Sequence, residues 1–303
     1  MLKYVLFWVI FRILGLLPLR ALYAIADVVA AVAYRVAPRA RANVYDNLRH
    51  IMPDAPKSKV RKAAKQVFRS VAYYYADFAH MPKLDVQDFF DNRIVFYNVR
   101  EALLPVLATG QGAIMLSAHI GNAELAMQAM LPFGAHMVAV TEPIEPPQLS
   151  RLMNRMRSAP GHEFLPVGVT GVKHLIKGLR EGKALALMGD RDIEGPRMWL
   201  PFFGQETWMP TGPIELGLRT NSPIFPCFSV RRGRFKMVGW LEDALDIQRT
   251  DDFQADVRTA TLQYLALLEK RLRDDPGDWL VLERVWDSPQ TAEQAANAEQ
   301  VAA

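Results

Sequence analysis

Two stretches of the chain carry residue types and spacings that could do chemistry together. The first is Ala113–Glu124, A-I-M-L-S-A-H-I-G-N-A-E. Its apolar run Ala113–Ala118 predicts a buried strand, and Gly121-Asn122 predicts a turn into a helix. His119 is thereby delivered to the carboxyl edge of a sheet, where open α/β folds place their chemistry. Glu124 follows in the first helical turn, and the spacing lets it fold back to accept a hydrogen bond from the ring N–H of His119. That pairing fixes the tautomer and leaves the other ring nitrogen free to take a proton, the equipment of a general base. The second stretch is Gly189–Pro213. There the apolar run Ala184–Met188 ends in a loop bearing Asp190, Arg191, Asp192 and Arg197, followed by Pro201-Phe202-Phe203-Gly204 and Pro210-Thr211-Gly212-Pro213. Two strand ends with clustered polar groups can form one cleft.

The elements that must position these residues alternate regularly beyond Gly110. Strands are expected at Ala113–Ala118, His136–Val140, Glu163–Val167 and Ala184–Met188. Helices are expected at Ala123–Met130, Leu149–Arg157 and Val172–Glu181. This alternation predicts an α/β fold with a central, largely parallel sheet flanked by helices. A helix at Gly212–Arg219, strands at Pro226–Arg231 and Phe235–Trp240, and a long helix over Asp252–Arg273 complete the reading. Upstream, Lys57–Met81 reads as a helix with Phe68, Val71, Ala72 and Tyr75 at helical spacing; its Tyr73-Tyr74-Tyr75 run reads as core or interface. Three regions are expected: amino-terminal membrane-associated helices over 1–50, a catalytic domain over 51–287, and a disordered tail over 288–303, rich in Ala, Gln and Glu.

The first region combines apolarity with charge. Tyr4–Leu17 and Ala21–Tyr34 are hydrophobic runs separated by Pro18, interrupted by Arg12 and Asp27. Neither reaches the ~20 uninterrupted residues of a spanning helix, so a helical pair lying on the leaflet is expected, with a spanning anchor, a cleaved signal and a pair packed on the core as the alternatives. Nine Lys/Arg against three Asp fall in residues 1–60, an excess larger than the +4 of the whole chain. Such cations attract anionic headgroups. The one cysteine, Cys227, excludes an internal disulfide and a Cys-rich metal site, and reads as core packing. No metal-ligand pattern, phosphate loop or nucleic-acid signature is present; Gly178–Ala184 lacks the spacing and the hydroxyl of a phosphate loop.

In their order and spacing, the H-x4-E, D-R-D-x-x-G and P-F-F-G…P-T-G-P blocks resemble the lysophospholipid acyltransferase superfamily, in its branch that acylates lipid A precursors and phosphatidylinositol mannosides. The resemblance runs from about Leu2 to Trp286. It implies transfer of a fatty acyl group from acyl-coenzyme A or acyl-carrier protein to a hydroxyl of a membrane glycolipid, at the cytoplasmic face of the inner membrane, with no cofactor beyond the donor. His119 would be the base and Glu124 its partner. Arg157 first, and Arg155 second, would hold a phosphate of donor or acceptor, as a planar guanidinium can. Glu142 could order the same pocket; Asp190 and Asp192, flanking Arg191, would turn that cation toward a substrate phosphate while the carboxylates hold sugar hydroxyls or neighbouring amides, unless the three form only a local ion-pair loop. Ala123 stands where many relatives carry Trp, beside the catalytic pair rather than in it. Trp199, Phe202, Phe203 and Trp208 could line an acyl channel or simply pack in the core. Ser117 lacks the elbow motif of a nucleophilic serine, so direct transfer is expected, with backbone N–H groups after Gly121 receiving the oxyanion. A hydrolase or thioesterase using the same pair on water, and a catalytically silent scaffold, are the alternatives.

Overall fold

A computed structural model describes residues 2–166, 168–191 and 195–286; Asp192 and the expected tail at 288–303 lie outside the described residues. The chain opens with α1 (Leu2–Leu14), α2 (Leu19–Val36), α3 (Pro38–Ile51), α4 (Lys57–His80) and α5 (Val86–Asn92), which lead to β1 (Ile94–Tyr97). Then come α6 (Leu104–Ala108), β2 (Ala113–Ser117), α7 (Ala123–Met127), β3 (Met137–Thr141), α8 (Pro147–Ser158), β4 (Glu163–Pro166), α9 (Val169–Arg180) and β5 (Ala184–Met188). The order ends with β6 (Arg197–Phe202), β7 (Gln205–Pro210), α10 (Gly212–Thr220), β8 (Ile224–Arg231), β9 (Met237–Leu241) and α11 (Phe253–Asp274).

Seven strands form one sheet in the order β1-β9-β8-β2-β5-β3-β4. Every neighbouring pair is parallel except β8 and β9. The fold is therefore the expected α/β architecture with a mostly parallel sheet flanked by helices. The central strands β2 and β8 are buried along their whole length, as strands covered on both faces must be. One face carries Ile114, Leu116, Leu185 and Leu187 beneath α9, α10 and α11; the other carries Met115, Met137, Ala184 and Phe225 beneath α7. The alternation of strand side chains makes this division.

Two features were not expected. Ile94–Tyr97 adds an edge strand, and Arg197–Pro210 is a separate two-stranded hairpin rather than a loop. Phe203 and Gly204 both have positive φ, 52° and 77°, the geometry that lets a two-residue turn match the twist of its strands. Phe202 is buried and stacks on Trp286 at 5.3 Å, while Trp199 and Trp208 pair across the hairpin at 5.3 Å.

The amino-terminal helices pack on the body with one face and show another to the outside. Phe11 of α1 meets Phe78 edge-on at 5.2 Å, and Tyr23 of α2 is fully buried against α4. Outward, α1 exposes Val5, Leu6, Trp8, Ile10 and Ile13, and α2 exposes Ile25, Val28, Val29, Val32 and Val36. Among the described residues no single helix is long and apolar enough to cross a membrane; α2 and α3 pass by composition only together, across a 92° bend. The boundary expected at residue 50 falls inside α3, whose Val44, Leu48 and Ile51 belong to the main core.

Candidate active site

His119 follows β2 and Asp190 follows β5, its parallel neighbour. Ser117 stands opposite Met188 in that ladder, so two further residues along each strand bring His119 beside Asp190. Asp190 is wholly buried, and His119 keeps about a third of its side chain exposed. The Asp190 carboxylate receives three donors: His119 Nδ1 at 2.8 Å, the His119 backbone N–H at 2.9 Å and Trp279 Nε1 at 2.9 Å. Gly189 makes the approach possible, because a Cβ there would come within 2.9 Å of Leu116 and Tyr264.

The electrostatics follow from burial and contact. Burial opposes the charge on His119, but the Asp190 carboxylate outweighs it and raises the imidazole above its ordinary value. For Asp190, burial alone would push the carboxyl up, and the charge and hydrogen bonds of His119 with the Trp279 N–H hold it below the ordinary value. With Nδ1–H pointed at a carboxylate, Nε2 is the nitrogen left to exchange protons.

The hydrogen-bond partner expected from the H-x4-E spacing is thus corrected. Glu124 does not bond to the imidazole. Its carboxylate takes Arg157 Nε on both oxygens at 3.0 Å and the Tyr74 hydroxyl at 2.9 Å. Arg157 in turn reaches Asn154 Oδ1 at 3.2 Å and Tyr74 at 3.3 Å, and lies over the Phe78 ring. The physical reason is that α4 and α8 deliver Tyr74 and Arg157 to the first turn of α7, while sheet register has already filled the Nδ1 side of His119. Arg157, expected to hold a substrate phosphate, is buried and committed to Glu124. Arg155 lies on the exposed face of α8. Glu142, after β3, and Arg191, after β5, face each other at 3.9 Å, and Arg191 also approaches Glu283 at 3.7 Å. The carboxyl edges of β2, β5 and β3 therefore bring together His119, Asp190, Arg191 and Glu142.

The turn carrying His119 is clamped from behind. Leu280 N–H donates to the His119 carbonyl and Gly121 N–H to the Asp278 carbonyl, each at 2.7 Å, so Gly121 is unavailable as an oxyanion donor. Gly121 has φ +65°, and a Cβ there would lie 2.2 Å from the Ser229 carbonyl. Asn122 caps α7 through Leu125 N–H and donates to Asp77 at 3.0 Å. Asp77 is buried with Arg231 and Tyr23, both hydrogen-bonded to it. This network links α2 and α4 to the turn that carries His119. Tyr74, Asp77, Tyr264 and Trp279 are the contributors that the sequence reading missed. Helical spacing put Tyr75 on the apolar face with Phe68, but Tyr75 is about half exposed and Tyr73 is the buried one; nothing local announced the contact of Tyr74 with Glu124.

On the α7 face of the sheet lies a partly open apolar pocket, bordered by Met115, Met127, Met137, Phe164, Ala186 and Cys227, with Glu124 among its few polar wall residues. Burial pushes the Cys227 thiol up to about 12. Trp199, Phe202, Phe203 and Trp208 are not part of this wall.

Two relatives share 27% identity with the chain. A phosphatidylinositol mannoside acyltransferase of Mycolicibacterium smegmatis aligns over 201 residues, 64% of this chain and 63% of that protein. A protein of the same name from Mycobacterium tuberculosis aligns over 186 residues, 59% of this chain and 56% of its own length. The chain thus spans about three fifths of the curated relatives it matches. The family model for bacterial lipid A biosynthesis acyltransferases covers residues 1–288 and includes every described element, and the chain belongs to that family.

Proposed function

We propose that this protein transfers a fatty acyl group from an acyl thioester to a hydroxyl of a glycolipid at a membrane surface. The observation that carries the reading is the His119–Asp190 pair, with no partner for Nε2 among the described residues, near an apolar pocket on the same sheet. Nε2 takes the proton of the acceptor hydroxyl as that oxygen attacks the thioester carbonyl. The tetrahedral intermediate then collapses, expelling the thiolate, which recovers the proton from the imidazolium. Asp190 orients the ring and stabilises the imidazolium that forms. No acyl-enzyme is needed: Ser117, the hydroxyl nearest in sequence, is buried in the wall beneath the turn. Arg157 and Tyr74 hold Glu124, which borders the pocket. The donor is acyl-coenzyme A or acyl-carrier protein, and the acceptor is a lipid A precursor or a phosphatidylinositol mannoside, the latter the substrate named for both relatives. The apolar faces of α1 and α2 supply the membrane contact.

The test is purified full-length protein with palmitoyl thioesters, assayed by mass spectrometry with and without glycolipid acceptor in mixed micelles. Acylated glycolipid should form with wild type and fall by roughly 10²–10⁴ in His119→Ala. Free fatty acid as the sole product, acceptor present, would establish the hydrolase instead.

A further inference from the structure

Away from the sheet edge that carries His119, α2, α3 and α4 surround a recess of about 460 Å³ that opens to solvent. Its lining includes Arg35, Arg41, Arg61, Lys65 and Arg69, with Asp27 as the one carboxylate. That carboxylate is already engaged: it accepts from Tyr73 at 2.8 Å and pairs with Arg69 at 3.3 Å and with Arg234. Arg61, Lys65 and Arg69 stand at i, i+4 and i+8 on one row of α4. Like charges so spaced repel and weaken a helix. Among the described residues no carboxylate lies within ion-pair distance of Arg61 or Lys65. Instead Lys65 Nζ and the Arg41 guanidinium converge on the ring of Tyr34, at 5.8 and 5.5 Å. The Tyr34 and Tyr45 hydroxyls, hydrogen-bonded to each other at 2.9 Å, leave one O–H to donate from the same wall. Arg35, Arg41, Arg61 and Lys65, a free hydroxyl proton and an acid already paired with Arg69 make a host for an anion, and guanidinium groups favour phosphate oxygens.

The position of the recess selects the source of that phosphate. By helical repeat, Ile25, Val28, Val29, Val32 and Val36 form one exposed apolar stripe on α2, and Arg35, a lining residue, borders it. A helix lying with that stripe in hydrocarbon holds its flank at the headgroup layer. We propose that the recess binds the phosphate of an anionic phospholipid headgroup, separate from the catalytic cleft. This assignment does not depend on the acyl-transfer reading, since its readout is binding.

Full-length protein is tested by flotation on phosphatidylcholine vesicles with and without 20 mol% phosphatidylglycerol, and separately by titration with inorganic phosphate followed through the thermal midpoint. The pocket variant is Arg61→Gln/Lys65→Gln; the control is Lys57→Gln/Lys62→Gln, which removes the same charge from the same helix outside the recess. Both should fold, because each relieves repulsion. Near-surface cations contribute ~1 kcal/mol each, roughly fivefold in partitioning. The pocket pair should therefore lose on the order of 25-fold in preference for the anionic vesicles, and the control pair severalfold less. Inorganic phosphate should raise the wild-type and control midpoints but not that of the pocket variant, and should release wild type from vesicles. Equal losses in the two variants would overturn the site. A phosphate shift that needs the pocket pair, with vesicle binding that does not, would overturn the headgroup assignment in favour of a soluble phosphate.

Discussion

Replacing Asp190 by Asn is the sharpest test of how the catalytic pair works. Two of the three donors to Asp190, the His119 backbone N–H and Trp279 Nε1, reach the same carboxylate oxygen, Oδ2. An Asn in this buried site keeps its carbonyl toward those two donors, which places its NH₂ opposite His119 Nδ1. The imidazole must then accept at Nδ1 and carry its proton on Nε2, the nitrogen that should take the substrate proton. The wrong tautomer is fixed by two retained hydrogen bonds, so little volume or packing changes. In the serine protease triad the same exchange lowers kcat by ~10⁴, about 5.5 kcal/mol. A loss of that order in kcat is expected here, with far-ultraviolet circular dichroism unchanged.

The pH profile supplies an independent readout. Because Asp190 raises the His119 pKa, the wild-type base becomes neutral, and active, only as pH climbs through a value above the ordinary 6.5. Removing the carboxylate takes away the main influence that offsets burial, so the residual acidic limb of Asp190→Asn should move to lower pH. Glu124→Gln should move that limb less, since Glu124 acts on the ring only through its charge while its hydrogen bonds go to Arg157 and Tyr74. An Asp190→Asn enzyme within tenfold of wild type, or a limb that moves with Glu124 instead, would refute the pairing deduced from the strand register.

Two further outcomes follow from buried groups. Asp77→Ala leaves the Arg231 guanidinium buried without its carboxylate and frees the capping residue Asn122. It should cost about 3–5 kcal/mol and lower Tm by roughly 6–20 °C by calorimetry; a drop under ~2 °C would mean that the pair is not a structural link. Ala186→Phe projects a ring into the cavity wall, and it should shift donor preference toward shorter acyl chains in competition assays with little change in Tm. Unchanged chain preference would remove the cavity from acyl binding.

The sequence by itself determined the alternation of strands and helices beyond Gly110, because apolar runs such as Ala113–Ala118 and Ala184–Met188 are long enough for strands and are punctuated by Gly and Asn. It also placed His119, Asp190 and Glu142 at strand ends, since a strand's carboxyl end can be read from where its apolar run stops. It did not reveal the hairpin at Arg197–Pro210, where Pro and Gly read as loop, nor the edge strand Ile94–Tyr97, which is too short to announce itself. Only the tertiary structure decided which carboxylate meets the histidine. Glu124 is five residues from His119 and Asp190 is seventy-one, so local spacing favoured the near one. Parallel pairing of β2 with β5 brings the distant carboxylate into line, and Tyr74 and Arg157, arriving on helices from either side in sequence, claim the near one. Contacts of that separation depend on strand order and helix packing, which no short window of residues contains.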